Sequence, residues 1–226
     1  LYFVMKPTPL VMMGDHFGKT LLHLAKTPSD VTRLLEHGAD PRDMDIYGKA
    51  VLHYVEDPAI ARILLATNRA VVLDHLLMTP LFTSNIGVSR AILEHDPSLI
   101  EVPDIMRKTA IFYAPTVEKL NLLLRYGADP NARDKDQMTP LCYASTPDHV
   151  QALVRGGANI NLRCIKGKTA LFFATPETIP TFAKLGADMN IRDSLGRKAI
   201  YYASGPSITS LMENGLFPDQ LITRSA

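Results

Sequence analysis

The chain has 226 residues, of which 46% are hydrophobic and 21% charged, so its composition is that of a folded globular protein rather than of a disordered one. Its 24 basic and 23 acidic side chains give a net charge of +1, which argues against nucleic acids and membrane surfaces as partners recognised through bulk charge. Two cysteines are too few for a disulfide framework or a zinc cage, and no stretch has the roughly 18 uninterrupted apolar residues that a membrane helix needs.

The two ends of the chain are predicted to be tails. Residues 1–14 form an N-terminal tail or cap, and residues 218–226 a C-terminal tail. The apolar start, residues 1–5, lacks a basic leader and is too short for a secretory signal. It is either a cloning remnant that ends before Met5 or the edge of a longer protein, and both interpretations stay open.

Between the tails, the same sequence frame returns at intervals of 29 or 30 residues. For example, the segment from Thr139 to Ala144 reads Thr-Pro-Leu-Cys-Tyr-Ala, and the segment from Thr169 to Ala174 reads Thr-Ala-Leu-Phe-Phe-Ala. Self-similarity at a fixed period indicates a stack of structural repeats. We predict one repeat domain over residues 15–217, with seven units that start near Asp15, Asp45, Asp74, Asp104, Asp134, Cys164 and Asp193.

Each unit is predicted to contain two helices. A threonine stands where it can cap the first helix. A capping residue followed by proline opens the second, at Thr27-Pro28, Asp57-Pro58, Thr146-Pro147 and Thr175-Pro176. A glycine then supplies the left-handed stop, at Gly38, Gly127, Gly157 and Gly186. Aspartates between units, such as Asp134 and Asp193, are interpreted as turn residues whose side chains bond local amides.

The middle of the chain departs from this frame. The second and third units lack the Gly-Ala-Asp ending, and Asp96-Pro97 stands where the third unit should have it. We therefore expect irregular loops, or a slight change of direction, between residues 66 and 104.

The pattern Thr-Pro-Leu-(His)-x-Ala followed by Gly-Ala-Asp-x-Asn resembles the ankyrin repeat. The resemblance covers residues 15–217 and implies an all-α solenoid of stacked helix-turn-helix units with hairpin-like turns. These units are shorter than the family's usual length by about three residues. The histidine that bridges neighbouring repeats in the family is present only as His23 and His53. Elsewhere its place is taken by Phe82, Phe112, Cys142, Phe172 and Tyr201, so aromatic packing is expected to join those units.

The sequence offers little catalytic chemistry. Gly-Lys-Thr occurs at residues 18–20 and 167–169, but the earlier glycine of a phosphate-binding loop is absent in both places. No pair of histidines or cysteines has the spacing of a zinc site. Cys142 is expected to be buried and inert, whereas Cys164, at a turn, is expected to be exposed. We predict a protein that is not an enzyme and that needs neither cofactor nor metal.

The resemblance implies a protein-protein interaction scaffold that binds a protein partner through its turn tips and concave face. Two groups of tip residues are proposed as contacts: an apolar group, and a polar group suited to an acidic partner segment. The proposed residues are Ile46, Tyr47, Ile105, Met106, Ile165 and Leu195, with Arg133, Lys135, Asp136, Arg163, Lys166, Arg192 and Arg197. The alternatives are that the apolar side chains pack against the neighbouring tip and that the arginines pair with Asp134, Asp136 and Asp193.

The remaining predictions concern the setting. We expect a monomer in the cytoplasm that binds no nucleic acid and does not insert into membranes. The alternative function is the targeting or substrate-recruiting module of a larger enzyme, or a secreted bacterial effector that acts in the host cytoplasm.

Overall fold

The computed structural model describes residues 13–218. Most of both predicted tails therefore lies outside the described residues. Within them the regular secondary structure is entirely helical, without a β-strand. The chain divides into two compact units: the first holds described residues 13–114 and 125–128, and the second holds 115–124 and 129–218.

In the first unit, short helices alternate with longer ones. The short, inner helices are one turn long, because only four or five residues separate the residue at the N-cap position from the next loop. The longer, outer helices are α2 (Pro28–Glu36), α3 (Pro58–Leu65) and α4 (Ile86–His95). The bounds are α1 Leu21–Leu24, α2 Pro28–Glu36, α3 Pro58–Leu65 and α4 Ile86–His95, with 3₁₀ helices at Val51–His53, Pro80–Phe82, Pro97–Glu101 and Ala110–Tyr113. Helix α3 packs between α2 and α4.

The second unit repeats the alternation. Its bounds are α5 Val117–Arg125 (whose last residue clusters with the first unit), α6 Pro147–Arg155, α7 Ile179–Lys184 and α8 Pro206–Glu213, with 3₁₀ helices at Pro140–Tyr143, Ile165–Gly167, Ala170–Phe173 and Ala199–Tyr202. Helix α7 packs between α6 and α8.

The core of each unit comes from the apolar stripes of these helices. In the first unit, Leu22, Leu52 and Leu81 hold one position of successive inner helices and are at most 1% exposed. In the second, Leu153 of α6 and Phe182 of α7 are at most 3% exposed. Because α3 and α7 each pack between the outer helices of the adjacent repeats, both compact units are stabilised mainly by contacts between neighbouring repeats.

The predicted caps of the outer helices are largely confirmed. Thr27, Asp57 and Thr146 each accept a hydrogen bond from an amide of the first turn, with a proline following. The prediction for Thr175-Pro176 is wrong, because α7 begins only at Ile179 and Thr178 occupies its N-cap position. The glycine stops are confirmed, as in Gly38 with φ 91°, a conformation that a side chain disfavours.

The capping role predicted for the threonines of the inner helices is wrong in four repeats. These threonines lie at the N-cap position with an extended backbone, but their hydroxyls accept no capping amide, and their side chains are buried. The residues are Thr79, Thr109, Thr139 and Thr169. These inner helices are single 3₁₀ turns, in which the hydrogen-bond geometry is poorer than in an α-helix. The buried hydroxyls of Thr79 and Thr109 have no hydrogen-bond partner.

Irregular loops occupy part of residues 66–104, as expected. After α3 the chain turns through Asn68, whose φ is 55°, and residues 69–74 form no helix. The 3₁₀ helix Pro97–Glu101 stands where other repeats have glycine, and the Asp96 side chain caps it by accepting the Ser98 amide.

Candidate partner-binding surface

The loops between the described repeats are tight turns, and all except the turn at Cys164 are held by one carboxylate. In the turn at Asp45, the Asp45 amide donates to the Lys49 carbonyl, and the Gly48 amide donates to the Asp45 carbonyl. One carboxylate oxygen of Asp45 also accepts the amides of Tyr47 and Lys49, at 2.9 and 3.0 Å. The same pattern occurs at Asp15, Asp74, Asp104, Asp134 and Asp193. The predicted role of these aspartates is thus confirmed.

The second oxygen of four turn aspartates accepts a tyrosine hydroxyl, which sequence reasoning missed. The pairs are Tyr54 with Asp45, Tyr113 with Asp104, Tyr143 with Asp134 and Tyr202 with Asp193. The signal was visible, because each tyrosine stands nine residues after its aspartate. These rings lie at the ends of four inner helices, so the bond ties each of these four helices to its own turn.

This network shifts the acidity of the groups involved. Burial raises the pKa of Asp45, but the hydrogen bonds from the Tyr54 hydroxyl and from the Lys49 and Tyr47 amides outweigh it, so the pKa lies below its usual value. Burial and the bond to the carboxylate together raise the pKa of Tyr54 and of Tyr143. The Asp45 carboxyl is therefore ionised, and the Tyr54 and Tyr143 hydroxyls are protonated, throughout the physiological range.

With the backbone held from below, the tip side chains of the first unit point outward. We call six of them the apolar turn edge: Phe17, Ile46, Tyr47, Leu76, Leu77 and Ile105. Each is between 42% and 55% exposed. Of the predicted contacts, Ile46, Tyr47 and Ile105 belong to this edge, while Met106 is half-buried.

Backbone hydrogen bonds between turns hold the members of the apolar turn edge in a row. The Ile46 amide donates to the Phe17 carbonyl at 3.0 Å, and the Ile105 amide donates to the Leu76 carbonyl at 3.0 Å. The His75 amide reaches the Tyr47 carbonyl at 3.4 Å. The four consecutive turns are thus joined in one row, and the exposed apolar side chains lie along it.

The tips of the second unit are mainly polar. Lys135, Asp136 and Lys166 are exposed, and Leu195, at 67% exposure, is an isolated apolar side chain. Ile165 is half-buried. The turns of the two units therefore differ in the polarity of their side chains, while their backbone hydrogen bonds follow nearly the same pattern.

Three of the arginines predicted to contact a partner donate hydrogen bonds to backbone carbonyls of this chain. Arg163 donates to the Gly167 carbonyl at 2.9 Å and to the Arg192 carbonyl of the next turn at 2.8 Å. Arg133 donates to the Gln137 and Arg163 carbonyls at 3.1 and 2.8 Å, and Arg192 donates to the Gly196 carbonyl at 2.8 Å. The Arg133 and Arg163 guanidinium groups thus join successive turns through carbonyl oxygens, and Arg192 braces its own turn, roles that neither prediction for them anticipated.

Other basic side chains at the ends of the turns lie over aromatic rings. The Lys19 ammonium is 4.0 Å from the centre of the Tyr54 ring, in the first unit. In the second, Lys168 is 3.6 Å and Arg197 4.7 Å from the centre of the Tyr202 ring. Such contacts hold the cations beside the inner helices, so the face next to the tips combines positive charge with exposed aromatic surface.

The two bridging histidines act as predicted. His23 donates from Nε2 to the Lys49 carbonyl, and His53 donates to the Met78 carbonyl, both at 3.2 Å. Aromatic contacts occur where the histidine is missing, as between Phe82 and Tyr113, with ring centres 5.6 Å apart.

Cys142 is buried as expected, but the expected exposure of Cys164 is wrong. The Cys164 thiol turns inward and donates to the Lys168 carbonyl at 2.9 Å.

The described residues bring together no group of three or more histidine, cysteine or acidic side chains that could hold a metal ion. In residues 13–218, no helix combines the length and apolar character needed to span a bilayer.

Comparison with known proteins finds similarity to ankyrin repeats. A sequence model described as ankyrin repeats (3 copies) matches residues 108–193. Among solved structures, the human ASB11 ankyrin repeat domain is similar with a TM-score of 0.74 at 21% identity, over 88% of this chain and 100% of that one. The ankyrin repeat domain of Bcl-3, described as a unique member of the IkappaB protein family, gives a TM-score of 0.52 at 24% identity, over 90% and 86% of the two chains. None of the curated proteins matches the sequence.

Proposed function

We propose that this chain, an ankyrin-repeat protein with the all-α ankyrin fold, binds a protein partner through the apolar turn edge. Ankyrin repeats are in general protein-interaction modules, so the class of function follows from the fold, and the surface is our proposal. The observation that carries it is the row of six large apolar side chains, each at least 42% exposed, on turns whose backbone needs none of them.

The physical reason lies in the cost of leaving such a strip in water. Burying apolar surface is favourable by about 25 cal/mol per Å², and contiguous exposed apolar surface on a soluble protein commonly marks an interaction site. The alternative that these side chains pack against the neighbouring tip is disfavoured by the exposure of Ile46, Tyr47 and Ile105, which is above half for all three.

A second, polar contact area is proposed on the tips of the second unit. Lys166 and Arg197 are exposed there, together with Lys135, which suits an acidic segment of the partner. Arg163 and Arg192 contribute mainly through the turns that they hold. We also propose that the protein acts without catalysis of its own, as a monomer inside the cell.

The experiment compares edge variants with matched controls. Ile46→Ser together with Leu76→Ser should weaken binding of a captured partner at least tenfold. Two apolar side chains that become buried in the complex are worth more than the roughly 1.4 kcal/mol that a tenfold change requires. The control, Ile208→Ser with Met212→Ser, removes two exposed apolar side chains of the second unit that lie away from the tips.

Circular dichroism should show equal helix content in both variants. Equal partner binding by the edge variant and the wild type would refute the proposal, and so would equal losses in edge and control variants.

The alternative function, a targeting or substrate-recruiting module of a larger enzyme or of a secreted bacterial effector, would use the same surface. It differs in what is attached to the repeats. The full-length reading frame distinguishes the two, since a catalytic domain or a secretion signal on the same chain supports the alternative.

A further inference from the structure

The turn at Cys164 closes without the carboxylate that the other described turns contain. The Cys164 amide donates to the Lys168 carbonyl at 2.7 Å, and the Gly167 amide donates to the Cys164 carbonyl at 3.0 Å. The Lys168 amide, whose equivalents elsewhere donate to an aspartate, donates here to the Ile165 carbonyl at 3.1 Å. The turn therefore keeps its shape, but it lacks the negative charge of the others.

This missing charge lies in a stretch of the chain that is basic throughout. Between Asp148 and Glu177 the sequence has no acidic residue, and the turn itself carries Arg163, Lys166 and Lys168. Arg163 is bonded to two backbone carbonyls, and Lys166 is exposed. Lys168 is the one of the three that aromatic rings hold in place.

Lys168 and Arg197 converge on one tyrosine ring. The Lys168 ammonium lies 3.6 Å from the centre of the Tyr202 ring and 5.7 Å from that of Phe173, and the Arg197 guanidinium lies 4.7 Å from the Tyr202 centre. Neither cation forms an ion pair with a carboxylate of the described residues. Asp193, in the following turn, already accepts two amides of that turn and the Tyr202 hydroxyl.

The equivalent arrangement in the first unit has a balanced charge. There the Lys19 and Lys49 ammonium groups lie 4.0 and 5.9 Å from the centre of the Tyr54 ring. Both lysines come from turns that contain an aspartate, Asp15 and Asp45. In the second unit the same two cations accompany a single turn carboxylate, because one of the two turns has cysteine instead. One positive charge is thus left for an anion from outside the chain.

A small cleft lies beside these cations. It has a volume of about 140 Å³ and is bounded by the last two inner helices and the start of α8. Phe173 and Tyr202 line it together with Ser204 and Ser207. Sites for drug-sized ligands measure about 300–1,000 Å³, so this cleft has the size for one side chain. The rings can pack against methylene groups, and the serine hydroxyls can donate to an oxygen.

We propose that Lys168, Arg197 and the rings of Phe173 and Tyr202 form a subsite for the side chain of a glutamate on the partner protein. The methylene groups pack against the rings, and the carboxylate meets the two cations, since a guanidinium can donate two parallel hydrogen bonds to it. A single excess charge matches a carboxylate better than a phosphate group, which carries nearly two charges. The subsite belongs to the polar contact area proposed above for the second unit and depends on that proposal.

The test is an NMR titration of the full chain, labelled with ¹⁵N, with a blocked peptide of glycine and serine around one glutamate. Saturable shifts are expected at the amides of residues 166–168 and 197–204. The same peptide with glutamine should bind at least about tenfold more weakly, because it lacks the charge. Equal binding of the two peptides, or no binding of either, would overturn the proposal. Tighter binding of a peptide with phosphoserine in place of the glutamate would also overturn it.

Three variants locate the subsite. Cys164→Asp supplies the turn carboxylate of the other repeats, so it should keep wild-type helix content and yet weaken binding of the glutamate peptide at least about threefold. Lys168→Gln should weaken it by at least as much. The matched control, Lys19→Gln, removes the equivalent cation of the first unit and should leave the affinity unchanged. Wild-type affinity in Cys164→Asp and Lys168→Gln, or an equal loss in Lys19→Gln, would contradict the assignment.

The apolar turn edge can be tested independently of this subsite. Ile46→Ser with Leu76→Ser changes only the first unit and should bind the glutamate peptide as the wild type does. If the peptide fails to bind while the edge variant still loses its partner, the subsite is refuted and the turn edge is not. Peptide binding together with unchanged partner binding by the edge variant would refute the turn edge and leave the subsite supported.

Discussion

Replacing Asp134 with alanine tests how much of a repeat depends on one turn carboxylate. Asp134 is 1% exposed. It accepts the amides of Asp136 and Met138, both at 2.9 Å, and the hydroxyl of Tyr143 at 2.6 Å. Asp134→Ala removes all three bonds at once and changes no apolar packing beyond the side chain itself.

The three bonds differ in what their loss costs. Met138 is 8% exposed, so we expect its amide to stay without water, at a cost of about 1–3 kcal/mol for an unsatisfied buried donor. Asp136 and Tyr143 are exposed, and water can replace the carboxylate there, which reduces each loss to about 0.5–1 kcal/mol. The expected destabilisation by Asp134→Ala is therefore about 3 kcal/mol.

Two smaller changes separate these contributions. Asp134→Asn keeps the oxygen that binds both amides, and Tyr143→Phe removes only the hydroxyl bond, so each should cost about 1 kcal/mol. Combining them should cost less than the sum, because both disrupt the same bond.

The measurement is urea unfolding followed by far-UV circular dichroism. Because repeat arrays can depart from two-state unfolding, free energies are compared only between variants whose unfolding free energy has the same dependence on urea concentration. Hydrogen exchange at residues 134–138 gives a local readout and should accelerate most in Asp134→Ala. A cost below about 1 kcal/mol for Asp134→Ala, or an equal cost for Tyr143→Phe, would contradict the role of the carboxylate in holding the turn.

Three further outcomes are expected. Gly48→Ala should lower stability by more than about 2 kcal/mol, because the added carbon would lie 2.8 Å from the His75 amide nitrogen. Gly127 has open space around it, so Gly127→Ala should cost only the roughly 1 kcal/mol of a non-glycine residue in the left-handed conformation. Thermal unfolding of both variants measures the difference. Burial lowers the pKa of His53, so the folded state favours the neutral ring. The stability that this neutral ring contributes is complete above about pH 6.5 and should be lost as the pH falls through the lowered pKa. His53→Phe should flatten that part of the curve of stability against pH, measured by urea unfolding, and an unchanged curve would contradict the assignment. Arg163→Glu should destabilise the fold by about 1–2 kcal/mol through its two lost carbonyl bonds, whereas Lys166→Glu should change stability by less than about 0.5 kcal/mol, and equal effects in parallel urea titrations would count against the structural role.

The features that sequence reasoning predicted are those with a local cause. Gly38 stops its helix because of its own backbone, and Thr146 caps α6 because an amide three residues away is always within reach. Asp134 bonds the amides of its own turn for the same reason. Such signals are contained in a few neighbouring residues, so a single sequence is enough to read them.

What the sequence alone did not reveal depends on distances between repeats. Arg163 bonds the carbonyl of Arg192, which lies 29 positions away, and the length of that gap is set by how the repeats stack. Cys164 turned out to be buried because its thiol finds a backbone carbonyl, an acceptor that every residue carries and that no pattern marks. The partner-contact prediction for the tips concerns a molecule outside the chain and stays a prediction, although the exposure of Ile46 and Tyr47 accords with it.

The carboxylate beneath each turn also bears on how such a protein can diverge. Asp45 and its tyrosine hold the loop through main-chain amides and one hydroxyl, so the identities of residues 46 and 47 do not enter the bonds that fix its shape. Substitutions at these two positions can accumulate without a cost in folding, while a change of Asp45 itself is penalised at once. Lineages that carry this repeat can therefore exchange one recognition chemistry for another by single steps, and the difference between the apolar tips of one unit and the polar tips of the other is what such a history would produce.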